Sequence, residues 1–263
     1  MTTEKLVDKP MEGASLDGHN IDGTRRDPNR KFYVVTCKFM TYYSRAASPI
    51  AASEFARQLA RCRPPTGWSP KLGSLNCIFP KVLKFSAGVA SSGGPDSTCL
   101  VFLLDRFIRG SEASGIKSLT TLTVDHGLQE SSADMARHVE NSSAKTNLEH
   151  LTCKVSWGSR NPADIKQLEL EARHQRYDQL FSGMTRARVK ILATAHHADD
   201  QVETALIRMS RGSTDYGISG MKLCRRWGMG FQPHYFGLEG MERWLIRPLL
   251  NFPKVLLHGC TKL

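Results

Sequence analysis

The stretch Val82-Leu83-Lys84-Phe85-Ser86-Ala87-Gly88-Val89-Ala90-Ser91-Ser92-Gly93-Gly94-Pro95-Asp96-Ser97 decides the fold. Through Val89 it is short and apolar, so it reads as a strand that runs into a glycine turn. Ser97 to Ile108 then places apolar residues at 100, 101, 103, 104, 107 and 108, the spacing of a helix buried on one face. A turn between a strand and a helix is suited to hold an anion. Adjacent glycines let the main chain bend sharply, the following N–H groups point into the loop, and the helix N-terminus adds partial positive charge. Ser92 and Ser97 add hydroxyl donors. Asp96 is badly placed against bare phosphate unless it meets Mg2+, which points to a metal–nucleotide complex. Neither GxxxxGK[ST] nor GxGxxG occurs, so a kinase-type or dinucleotide site is not supported. An ordinary Gly-Gly turn capped by Asp96 or Ser97 is the competing reading.

Downstream, strands and helices alternate. Leu119–Val124 reads as a strand, followed by a helix from Ser132, a candidate cap, to Asn147. Leu151–Val155 is a third strand. Pro162 is expected to open a long helix through Leu180, because proline in a first turn loses no hydrogen bond. Val189–Ala195 reads as a fourth strand, buried on both faces, and Asp200–Arg211 as the next helix. Such alternation implies an open, mostly parallel α/β sheet with helices on both faces, whose ligands collect beyond the carboxyl ends of the strands.

The motifs fall at those ends. Val124-Asp125-His126 follows the second strand, with Gly127 as a permissive turn residue. His196-His197-Ala198-Asp199-Asp200 follows the fourth strand, with Glu203 one turn further along the helix. Asp200 and Glu203 share a face and suit a cation, either Mg2+ or the ammonium of an amine substrate; helix capping is the plain alternative. Zinc held by His197 and Asp200 ranks below both, because further ligands are missing from the spacing. On the long helix, Arg173 and Arg176 suit phosphate, although an exposed network with Glu169 is the simpler reading of those residues alone. Leu245-Ile246-Arg247-Pro248 reads as a strand ending in a proline turn.

The chain has 263 residues and a formal net charge of +11. Between residues 31 and 80, seven Lys/Arg face the single acid Glu54. That surplus favours a polyanionic partner such as nucleic acid, with a merely basic protein or a basic targeting segment as equal rivals. No apolar run approaches the roughly 18–20 residues that cross a bilayer, so no membrane partner is expected. Seven cysteines without a CxxC pair fit unpaired thiols in a reducing compartment. Residues 1–30 read as a disordered tail. Residues 40–63 are acid-poor and rich in Ala, Ser and Arg, like a mitochondrial presequence, or else form a helix from Pro49 to Leu59 that packs on the domain. Pro64, Pro65 and Pro70 mark a linker. The expected division is an N-terminal extension over 1–80 and a nucleotide-binding domain over 81–263.

Taken in order, SGGPDS, VDHGL, EARHQRY, ATAHHADDQVETALIRMSRGS, GISGM and LIRPLL resemble the catalytic domain of tRNA(Ile)-lysidine synthetases, in the PP-loop ATP pyrophosphatase superfamily. The resemblance covers about residues 82–250. It implies that ATP adenylates the wobble cytidine of an isoleucine tRNA with a CAU anticodon, and that free L-lysine then attacks carbon 2 and expels AMP. It further implies that Ser92, Gly93, Gly94, Pro95, Asp96 and Ser97 hold the ATP phosphates, with Asp96 on Mg2+. By the same resemblance Val124, Asp125 and His126 lie on the adenine side. Asp200 and Glu203 meet the lysine ammonium or orient its attack, and Arg173 or Arg176, with Arg247, holds phosphate or the lysine carboxylate. The family's C-terminal tRNA-binding regions have no counterpart here, so a non-catalytic nucleotide- or RNA-binding remnant is one rival. tRNA thiolation is another, although the absence of CxxC counts against it. The expected compartment is the mitochondrion in a eukaryote and the cytoplasm in a bacterium.

Overall fold

A computed structural model describes residues 50–63, 85–110, 116–129, 131–158, 161–213, 219–227 and 236–260. The tail over 1–30, the presequence-like residues before Ile50, the Pro64–Pro70 linker and the strand start at Val82 lie outside the described residues.

Helix α1 (Ala52–Arg61) precedes strand β1 (Phe85–Ala90), and α2 (Pro95–Gly110) follows it. The chain continues through β2 (Ile116–Asp125), α3 (Ser131–Lys145), β3 (Glu149–Lys154), a 3-10 turn (Pro162–Asp164) and α4 (Leu168–Arg186). It ends with β4 (Ile191–Ala193), α5 (Ala198–Ser210), β5 (Cys224–Arg226), α6 (Gly237–Glu242), β6 (Trp244–Ile246) and α7 (Lys254–Cys260). The sheet order is β3-β2-β1-β4-β6-β5, parallel except for the edge strand β5, which runs antiparallel to β6.

The two faces of the sheet are read off the period of two. Ala87, Val89, Leu119, Ile191, Ala193, Trp244 and Ile246 enter one core with Phe55 and Leu59 of α1, Leu100 and Leu104 of α2, and Leu257 of α7. Their alternates Leu122, Leu192 and Leu245 enter the other with Leu180 and Met184 of α4 and Trp227. Both faces are therefore covered by apolar side chains, as parallel strands require. Helix α1 contributes to the core itself: Phe55 is 1% exposed and meets Phe107 edge-on at 6.4 Å between ring centroids.

Three local expectations are corrected. Pro162 opens only the 3-10 turn, and α4 begins six residues later; proline fixes its own φ but supplies no N-cap side chain to carry the helix forward. Ser132 does not cap α3, since it lies inside the helix and its hydroxyl donates to Gln129 O at 2.7 Å. β4 starts at Ile191 because Arg188, in the left-handed region at φ 53°, closes α4, and Val189 N donates back to Met184 O.

A side-chain latch ties the segment before β5 to α5. Gln201 of α5 accepts from Met221 N and donates to Met221 O at 2.6 and 2.9 Å, and Arg208 donates to Gly220 O at 3.1 Å. Gly220 sits at φ +75°, and a Cβ there would lie 2.5 Å from Gln201 Oε1. Gly212, at φ +71°, has open space around it. Gly220→Ala is therefore expected to cost roughly 2–3 kcal/mol, combining backbone strain with loss of the latch, against about 1 kcal/mol for Gly212→Ala. Urea unfolding midpoints check the difference; equal shifts would remove the latch from the account.

Candidate active site

Ser91 pins the end of β1 to β2: its N–H donates to Leu122 O at 2.9 Å, and its carbonyl accepts from Thr123 Oγ1 at 2.8 Å. The loop then closes on Ser97, whose Oγ accepts from Ser92 N at 3.2 Å and donates to Gly94 O at 2.9 Å. Gly93 takes φ +80°, and a Cβ there would come within 3.2 Å of Val139 on α3. Glycine is thus required twice over, by conformation and by the close approach of α3. Pro95 begins α2 and Asp96 occupies its first turn.

The cavity beside this loop has a volume of about 710 Å3, within the span of small-molecule sites. It is bounded by the carboxyl ends of β1, β2 and β4, where the strand order departs from β1 in two directions. Ser92, Asp96, Ser97, Val124, His126, Arg176 and Asp200 line it, joined by Arg173, Tyr177 and His196. Gly93, Gly94 and Pro95 shape the loop from behind. Asp125 is buried and turned into its own bend, where Oδ1 accepts from Gly127 N at 3.0 Å. Glu203 is exposed on α5 and does not line the cavity. Arg247 is buried one layer back. It donates to Lys222 O at 2.8 Å, and its charge reaches Tyr177 and His196.

His197 is the residue the motif reading underused. Its side chain is 6% exposed and lies between two carboxylates, with Nε2 3.6 Å from Asp96 Oδ2 and Nδ1 3.6 Å from Asp200 Oδ2. Asp200 also accepts from His197 N at 2.9 Å, so it caps α5 as well as facing the cavity. The capping and site readings of Asp200 are therefore compatible. The HHADD spacing placed His197 one residue before a helix, which carried the signal; nothing local revealed that Asp96, a hundred residues earlier, would meet it.

Asp96 Oδ1 is buried without a hydrogen-bond partner among the described residues. An orphaned carboxylate oxygen in the first turn after a loop of N–H and hydroxyl groups fits Mg2+ shared with phosphates, because Mg2+ needs only one or two protein carboxylates. No group of three or more His, Cys, Asp or Glu among the described residues is placed to hold a metal by itself. That leaves zinc without a ligand set there.

His196 accepts or donates at Nδ1 with Thr194 Oγ1 at 2.9 Å, and burial, reinforced by Arg247, lowers its pKa to about 4. It is neutral in the fold, whereas the unfolded chain takes up a proton below the ordinary value of 6.5. Stability is therefore expected to fall as pH drops from 6.5 to about 4, by up to roughly 3 kcal/mol from this residue. His196→Gln should flatten that part of the profile in urea titrations, and an unchanged slope would show that His196 does not carry it.

Residues 74–262 match the model of the PP-loop domain. The chain belongs to the PP-loop domain family. The Ser92–Ser97 loop lies within the matched residues and borders the cavity described above. Among curated proteins, the chain is 38% identical over 175 residues to the tRNA(Ile)-lysidine synthase of Bradyrhizobium diazoefficiens, covering 66% of this chain and 43% of that protein. It is 35% identical over 169 residues to that of Rhodopseudomonas palustris, covering 64% and 43%. It is 32% identical to that of Rickettsia akari, covering 63% and 34%. The chain thus spans less than half the length of these relatives. All three are bacterial, and they lend no support to a mitochondrial location. No described helix is long and apolar enough to cross a membrane. Among solved structures, the U34-tRNA thiolase NcsA from Methanococcus maripaludis, with its [4Fe-4S] cluster, superposes with a TM-score of 0.56. It shares 14% identity and covers 80% of this chain and 63% of that one, a likeness of fold alone.

Proposed function

We propose that this PP-loop domain binds Mg2+–ATP in the cavity and adenylates an isoleucine tRNA with a CAU anticodon, for lysidine formation with free L-lysine. The observation that carries the reading is the orphaned Asp96 Oδ1 beside the Ser92–Ser97 loop, in one cavity with Asp200, Arg173 and Arg176. The likeness to the bacterial tRNA(Ile)-lysidine synthases supports the choice of substrate.

The chemistry follows from the walls of the cavity. The PP-loop N–H groups, with Ser92 and Ser97, hold the β and γ phosphates as leaving group, so the α phosphorus faces open cavity. The oxygen on carbon 2 of the cytidine attacks that phosphorus, forming an O–P bond while the bond to pyrophosphate breaks. A poor leaving oxygen becomes a good one. The lysine amine then attacks carbon 2, loses a proton, and AMP departs. Mg2+ on Asp96, when bound, neutralises charge on the departing pyrophosphate. Asp200 takes the lysine ammonium and orients its amine, while Arg173 and Arg176 hold phosphate at the open side. Arg247 acts from the second layer by fixing Tyr177 and His196. Glu203 meets lysine or tRNA only at the outer rim. The molecule works where tRNA is made and read, which for a bacterial source is the cytoplasm.

The experiment is incorporation of labelled lysine into isoleucine tRNA in the presence of ATP. Incorporation that depends on all three substrates supports the proposal. ATP-dependent release of pyrophosphate with tRNA but no incorporated lysine would overturn the choice of nucleophile while leaving the adenylation step.

A further inference from the structure

His126 and Arg176 form a contact between two motifs that no other feature of the site explains. Arg176, exposed on α4, donates from Nε to His126 Nε2 at 3.3 Å. For Nε2 to accept, the ring must carry its single proton on Nδ1. The His126 side is held firmly. Trp157 Nε1 donates to its carbonyl at 2.7 Å, and the Asp125–Gly127 bend fixes its backbone. Its Nδ1 is buried without a partner among the described residues, in a side chain that lines the cavity. No carboxylate among the described residues is paired with Arg176, so the imidazole is the group that orients this guanidinium.

We propose that His126 is a positioning residue: as a neutral imidazole it holds Arg176 over the cavity through Nε2. The proposal rests on the reading of the cavity as an ATP site. Burial, with Arg176 beside it, keeps the ring pKa below its ordinary value, against the opposing pull of Asp125. A charged ring could not accept from Arg176 and would repel it. The other titratable groups facing this wall are Glu169, Arg173 and Tyr177 on α4, with Asp96, His196 and Asp200 across the cavity.

Two substitutions separate the two ring nitrogens. A Gln amide places its oxygen near Nε2 and preserves the acceptor for Arg176; an Asn amide reaches only the Nδ1 position. His126→Asn is expected to weaken binding of ATP with Mg2+ about tenfold at pH 8, and His126→Gln about threefold or less. In an Arg176→Ala background, His126→Asn should add less than about twofold, because its partner is already gone. Binding by the parent chain should also weaken more steeply below pH 6 than binding by His126→Gln. Additive losses, or an Asn variant as good as Gln, would overturn the proposal. A second readout needs no nucleotide. The His126 ring proton, followed by NMR in the full chain, should titrate at higher pH in Arg176→Ala than in the parent. An unmoved titration overturns the pairing even if ATP binds, and a shifted one sustains it even if ATP does not bind and the nucleotide reading fails.

Discussion

Replacing Asp96 with Asn is expected to reduce pyrophosphate release at least about a hundredfold while leaving the fold intact. The side chain keeps its volume, and its contact with the His197 ring at 3.6 Å lies beyond hydrogen-bond range. The loop does not depend on it, since Ser92, Gly94 and Ser97 close on one another. What the substitution removes is a carboxylate oxygen, Oδ1, that is buried without a partner among the described residues, beside the loop proposed to hold the Mg2+–ATP phosphates. Loss of rate without loss of unfolding free energy is the expected pattern. A variant that turned over normally would remove Asp96 from the chemistry, and one that unfolded would make it structural. Steady-state release of pyrophosphate, run beside a urea titration, distinguishes the three.

The second large effect is on stability. Phe55→Ala should cost about 3–5 kcal/mol, because a ring 1% exposed is removed from the core shared with Leu104 and Phe107. The same packing sets an expectation for the domain boundary, which we propose lies before α1. Starting the chain at Lys81 removes Phe55, Leu59 and Cys62 together, all 4% exposed or less. It also removes the Gln58 side chain, which accepts from Asn251 Nδ2 at 2.9 Å. A chain starting at Ala47 should unfold cooperatively with near-parental stability, and one starting at Lys81 should not. Equal midpoints for the two would place α1 outside the folded unit.

Much of this was legible in the sequence because periodicity and turn chemistry are local. The apolar runs of β1 and β4, the alternation in β2 and the one-sided pattern of α2 led directly to a parallel sheet, and the motifs fell at strand ends as that topology requires. The shortfalls have the opposite character. β5 is three residues long, CRR, with no apolar alternation, and it exists because β6 offers an edge to pair with. Helix α7 is only seven residues long, too short for a helical period to show, yet Leu257 is fully buried against the first core. In the candidate site, residues of the SGGPDS and HHADD motifs line one cavity, whereas the Asp96–His197 pair and the His126–Arg176 contact join residues 101 and 50 positions apart. Spacing along a helix made Asp200 and Glu203 look like partners. In three dimensions the cap at His197 turns Asp200 toward the cavity and leaves Glu203 outside.

We propose that the Ser92–Ser97 loop holds the pyrophosphate portion of ATP so that the α phosphorus is the atom attacked. The direct measurement is the identity of the products when the chain is given isoleucine tRNA, lysine, Mg2+ and ATP labelled at the α phosphate. Labelled AMP and free pyrophosphate are expected, formed only when tRNA is present and lost in Asp96→Asn. Labelled ADP with inorganic phosphate would contradict it.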